Sequence, residues 1–207
     1  MYQLSKLSYL YQDLEPYIDT HTVALHYNKH YQNYLNKLNT LLEENNYDYR
    51  YKLDELSFHI DEFSPTSRED ILFNLGGVLN HDLYWKSMSP NKGQKPTGEL
   101  KKHLERTFGS YEQFWKHFKD MALKLKGSGY TFLVLQIDGE LDIINFANQD
   151  LPILYGYLPL FNIDMWEHAY YINYENNKEE YIDNFEKIAD FRNASKIFNN
   201  VITKHQV

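Results

Sequence analysis

Between Asp19 and Leu42, the apolar and aromatic positions Val23, Tyr27, Tyr31, Tyr34, Leu38, Leu41 and Leu42 recur close to helical period, with Asp19 or Thr20 available as N-cap. This predicts one long helix. A second is predicted after Pro65, where Ser67-Arg68-Glu69-Asp70 has the form of a capping box, and it runs through ILFNLGGVLNHDLYW to about Met88. Together they form an antiparallel hairpin. The stretch SPNKGQKPTGEL, 89–100, carries two prolines and two glycines and is the boundary that composition offers. It divides an N-terminal helical domain, 1–90, from a C-terminal domain, 91–207.

Beyond the boundary the pattern changes. Residues 99–108 and 110–126 read as helices, the second capped by Ser110 and closed by Gly127. TFLVLQI and ELDIINFA are β-rich runs on either side of an Asp-Gly pair, a strong hairpin signal, and YGYLPLFNID fits a third strand. The remainder, from about Trp166 to His205, reads as helices. The fold class is α+β: a long antiparallel helical hairpin, then a three-stranded antiparallel sheet surrounded by helices.

Composition narrows the function. The chain has 207 residues, 43% apolar and 16% aromatic, enough for a substantial core. A net charge of -8 with scattered lysines builds no basic stripe, so nucleic acid is not an expected partner. No apolar run reaches the length of a membrane span, and the opening MYQLSKLSYLYQ has no leader pattern, so a soluble cytoplasmic protein is expected. With no cysteine, there is no disulfide and no thiolate ligand; a bound metal must use His, Asp, Glu or backbone oxygen. The sequon Asn193-Ala194-Ser195 matters only in a secretory protein.

Of nine histidines, three have surroundings that suggest chemistry. His26 lies on the first helix, where four-residue spacing would bring His26, His30 and Tyr34 onto nearly one line. His81 follows Gly76-Gly77, two glycines that each cost a helix about 1 kcal/mol relative to alanine. Either another segment packs on the helix backbone there, or two helices simply lie close. His168 lies in FNIDMWEH, where a strand runs directly into Asp164, Trp166, Glu167 and His168. An Asp and a His four apart, with one His on each of two helices, make a three-nitrogen, one-oxygen site suited to iron, manganese or zinc. The chain lacks HExxH, Glu-x-x-His, both glycine-rich nucleotide cradles and the Gly-x-Ser-x-Gly elbow. Composition and spacing therefore support one mononuclear, non-thiolate metal site and leave the reaction open.

Residues 11–39 (YQDLEPYIDTHTVALHYNKHYQNYLNKLN), NHDLYW at 80–85, GSG at 127–129, NQD at 148–150 and DMWEHAYYINY at 164–174 together resemble the iron/manganese superoxide dismutase family. The resemblance implies metal ligands His26, His81, Asp164 and His168, with a solvent molecule completing the set. It implies a two-step conversion of superoxide to dioxygen and hydrogen peroxide, driven by alternate reduction and oxidation of the ion. Tyr34 and His30 would form the gateway for substrate and protons, and Tyr171 of the partner subunit would bond His30. Gln149 would bond the solvent ligand, Trp166 would wall the pocket, and Glu167 would reach the partner's His168. A homodimer through Glu167, His168, Tyr171 and His30 follows, with Lys29 and Lys178 lining the approach. Gly76-Gly77 with Gln149 is the manganese-type pattern, the glycines making room for the Gln side chain. One manganese per subunit is implied, with iron possible. A non-catalytic metal-binding or structural member of the fold is the alternative. Tyr130 and Phe132 stand where the family usually has tryptophans, and Val78 where a His is frequent; Tyr130 would bring a hydroxyl beside Gln149.

Overall fold

The computed structural model describes residues 1–90 and 93–205; Asn91 and Lys92, within the expected boundary stretch, lie outside the described residues. The first long helix forms where its period predicts, but in three parts: α1 (Thr20–Leu25), a π-helical turn (His26–Tyr31) and α2 (Gln32–Glu44). Asp19 is the cap, its carboxylate accepting from Thr22 N–H at 2.6 Å. α3 (Arg68–Lys86) packs against α2 to complete the helical hairpin. The capping box expected at its start does not form. Ser67 is in helical conformation with no cap bond, and its hydroxyl pairs with that of Ser64 at 2.8 Å.

The helices α4 (Gly98–Phe108) and α5 (Tyr111–Lys124) follow, and Ser110 caps α5 by accepting from Gln113 N–H at 3.1 Å. Strands β1 (Gly129–Leu135), β2 (Leu141–Ala147) and β3 (Leu158–Asp164) form an antiparallel sheet in the order β2-β1-β3. The β1–β2 hairpin closes through Gln136 N–H to Glu140 O at 2.8 Å, with Gly139 supplying the positive φ that the loop requires. The chain ends in α6 (Tyr171–Tyr174), α7 (Lys178–Ile188) and α8 (Arg192–His205).

All seven residues of β1 are buried, because helices cover one face of the central strand and the metal-side cluster covers the other. Alternation sends Leu133 and Leu135 to the main core, and Tyr130, Phe132 and Val134 to a smaller cluster beneath Leu83 and Trp166. The β1–β3 register places Tyr130 opposite Asp164. Sheet and hairpin meet where α3 packs on β3, and that junction holds the site. No helix among the described residues is long and apolar enough to cross a membrane.

Candidate metal centre

Four side chains from separate parts of the fold converge. His26 projects from the π turn, His81 from α3, Asp164 from the end of β3, and His168 from the short 3-10 turn Glu167–Ala169. Asp164 Oδ2 lies 3.3 Å from His26 Nε2, 3.4 Å from His168 Nε2 and 3.8 Å from His81 Nε2. The four donor atoms fall within 4.8 Å of one another.

Each of these atoms is buried and has no hydrogen-bond partner. A buried polar atom without a partner costs about 1–3 kcal/mol, so four facing one another would be a severe defect unless a cation completes them. Three imidazole nitrogens and a carboxylate oxygen are the donors of a first-row transition metal rather than calcium or copper(I).

The donors are also held in ligating form. His81 Nδ1–H donates to Gly77 O at 2.5 Å, which fixes the tautomer and leaves the Nε2 lone pair facing the site. Trp166 N–H donates to Asp164 Oδ1 at 2.8 Å, leaving Oδ2 free. Tyr181 O–H donates to the Asp164 carbonyl at 3.0 Å and pins the strand end. Burial pushes His26 down to about 4 against the pull of Asp164, and lowers His81 well below its ordinary value. Burial alone would raise Asp164, but the neighbouring His168 and His26 hold it below the usual carboxylate range. At neutral pH the cluster is therefore two neutral imidazoles from the helices and an ionised carboxylate, already deprotonated for a metal.

The other residues singled out in the sequence surround this cluster unequally. Tyr34 is half-buried, and its hydroxyl oxygen accepts from Gln149 Nε2 at 3.1 Å. His30 is exposed, its ring stacked on His168 at 4.2 Å and 16°. Trp166 lies beside His168, with ring centroids 5.7 Å apart, and its indole N–H donates to Asn148 O at 3.1 Å. Glu167 and Tyr171 are exposed beside the cluster, Lys29 is exposed on the π turn, and Lys178 lies over the Tyr170 ring.

One expectation needs correction and another is extended. The glycine pair does not make room for the Gln149 side chain alone: a Cβ on Gly76 would meet the Gln149 carbonyl oxygen at 1.9 Å, and one on Gly77 the Tyr34 ring at 2.4 Å. Each glycine thus seats a different neighbour. Tyr130, expected beside Gln149, also brings its hydroxyl to His81 Nδ1 at 3.3 Å. Burial and the Asp164 charge hold its phenol well above its ordinary value, so the hydroxyl stays neutral.

Asn80 was missed in the sequence. Its side-chain N–H reaches Gln149 Oε1 and the Asp150 carbonyl, each at 3.4 Å. The available signal was an amide on the buried side of an apolar helix, next to a candidate ligand. Asn148, at φ 52, turns the chain after β2 so that Gln149 enters the site.

The fold and donor set define a mononuclear, non-thiolate metalloprotein whose site is shared between a helical hairpin and an α+β half. The model of the iron/manganese superoxide dismutases' alpha-hairpin domain matches residues 1–89, and that of their C-terminal domain matches 96–197. The chain belongs to the iron/manganese superoxide dismutase family. A relative from Listeria innocua called superoxide dismutase [Mn] is 39% identical over 95% of this chain and 97% of its own length. Proteins of the same name from Listeria monocytogenes and Listeria ivanovii are each 38% identical over the same shares.

Proposed function

We propose that this chain is a superoxide dismutase that holds one manganese ion per subunit on His26, His81, Asp164 and His168. The observation that carries this is the convergence of four buried, unpartnered donor atoms in a member of this family. When bound, the ion supplies a one-electron couple that takes an electron from one superoxide and returns an electron to the next, giving dioxygen and hydrogen peroxide. Zinc has no such couple. The occurrence of Gly76-Gly77 together with Gln149 and the names of the relatives support manganese, with iron the competing occupant.

The chain's own residues attract the anion and deliver protons. Neutral imidazoles and a single carboxylate leave a trivalent ion with net positive charge, which draws an anion despite the protein's overall charge of -8. Lys29 and Lys178 add to that field at the approach. Burial raises the Tyr34 phenol, so Tyr34 keeps its proton at neutral pH. Because Gln149 Nε2 donates to the Tyr34 oxygen, the Tyr34 hydrogen is left to donate towards an arriving anion. His30, stacked on the His168 ring, is the second gate residue, and Trp166 excludes water from the His168 side.

The active form is a homodimer in the cytoplasm, where a chain without cysteine is indifferent to reducing conditions. Its interface runs through His30, Glu167, His168 and Tyr171. Exposed Glu167 and Tyr171 next to the stacked His30 and His168 rings support this face.

The test is metal analysis of the purified native protein, alongside superoxide consumption after separate reconstitution with manganese, iron and zinc. Close to one manganese per chain with catalytic superoxide loss is expected. Stoichiometric manganese or iron without superoxide loss would overturn the reading.

A further inference from the structure

We infer that Tyr130 is a positioning residue for the metal centre: its phenol oxygen accepts from the outer N–H of His81 and thereby sets how strongly His81 donates to the ion. This rests on the reading of the site as a redox-cycling metal centre. The geometry is specific. Tyr130 is fully buried on β1, opposite Asp164 in the ladder, and its hydroxyl stands 3.3 Å from His81 Nδ1 with the rings edge-on at 75°.

His81 Nδ1 carries its hydrogen, because its nearer partner at 2.5 Å is the Gly77 carbonyl, which can only accept. The Tyr130 oxygen is therefore a second acceptor on one N–H. Acceptors on the outer nitrogen raise the basicity of a ligating imidazole, and greater basicity favours the more oxidised ion. Tyr130 thus lowers the reduction potential of the centre. A tryptophan at this position would fill similar space, but an indole N–H only donates and could not accept from His81.

The experiment measures the midpoint potential and metal content of the manganese-loaded wild type, Tyr130→Phe, Tyr130→Trp and a variant with 3-fluorotyrosine at position 130. The fluorinated ring keeps the hydroxyl and weakens its oxygen as an acceptor. The potential should rise in the order wild type, fluorotyrosine, then Phe and Trp together, with metal content unchanged. An unmoved potential, a fall, or a rise in Phe that Trp reverses would overturn the assignment. Should Tyr130→Phe not fold, the fluorotyrosine variant decides alone: a rise supports the inference and no rise ends it. Wild type that binds no redox-active metal would instead sink the functional reading itself, so the two failures are distinguishable.

Discussion

The ring of Tyr34 lies so close to Gly77 that a methyl group there would fall 2.4 Å from two of its carbons. Gly76, one position earlier, stands in the same relation to the Gln149 carbonyl oxygen, at 1.9 Å. The first neighbour is a side chain and the second is backbone, so the two glycines tolerate alanine differently. Gly76→Ala must move the β2–β3 connection and should destabilise by about 1–3 kcal/mol, even after the gain of about 1 kcal/mol in helix propensity. Gly77→Ala should cost less stability but tilt Tyr34 away from Gln149 and lower turnover. Thermal unfolding and activity of the two variants, measured together, check this; equal stability losses would contradict it.

The unequal positions of His26 and His30 lead to a second prediction. His26 is 1% exposed and aimed at the other donors, whereas His30 is exposed, stacked on the His168 ring and edge-on to His26 at 6.3 Å, with no atom in the donor cluster. His26→Ala should lose the metal. His30→Ala should keep close to wild-type metal and lose turnover. Metal analysis of both variants decides, and metal loss from His30→Ala would count against the assignment.

That inequality also marks where the sequence stops being legible. The apolar period from Val23 to Leu42 was enough to find the helix, because burial of one face obeys the helical repeat. The same arithmetic put His26, His30 and Tyr34 on one line, and the structure departs from it. In the π turn, hydrogen bonds span i to i+5, so four residues no longer complete a turn and His30 lags behind His26. Nothing in HYNKHY marks that widening, because it is set by what packs on the turn. Ser67 shows the same limit: its motif was sound locally, but Ser64 competes for the hydroxyl. The contact between Tyr130 and His81 depends on the β1–β3 register, which no local pattern encodes.

A third prediction concerns the proposed interface. Glu167 and Tyr171 are large or charged groups exposed beside a site that must exclude water. If they close it by meeting a second copy, the wild type should sediment at about twice the chain mass of 24.9 kDa. Glu167→Ala should then shift the population towards monomer and lower activity in a concentration-dependent way. A monodisperse monomer in the active wild type would remove the interface from the account.

The last prediction is the pH dependence of the metal-free protein. Burial holds His26 at about 4 in the folded chain, against 6.5 when exposed, so between these values the unfolded chain binds a proton that the folded chain refuses. Stability therefore falls as pH drops from about 6.5 towards 4, by roughly 3 kcal/mol for His26 alone at about 1.4 kcal/mol per unit. His81 is also lowered by burial and adds in the same direction. Asp164, also lowered, acts further down: its contribution is present above its ordinary value of 3.8 and is lost as pH falls below it. A bound ion opposes protonation of the same atoms, so the loaded protein should keep its stability to lower pH and then lose metal and stability together. Thermal unfolding of metal-free and loaded protein between about pH 4 and 7.5 tests this. The metal-free curve should slope and the loaded curve should break, whereas a flat metal-free curve would mean that these histidines are not buried as neutral groups.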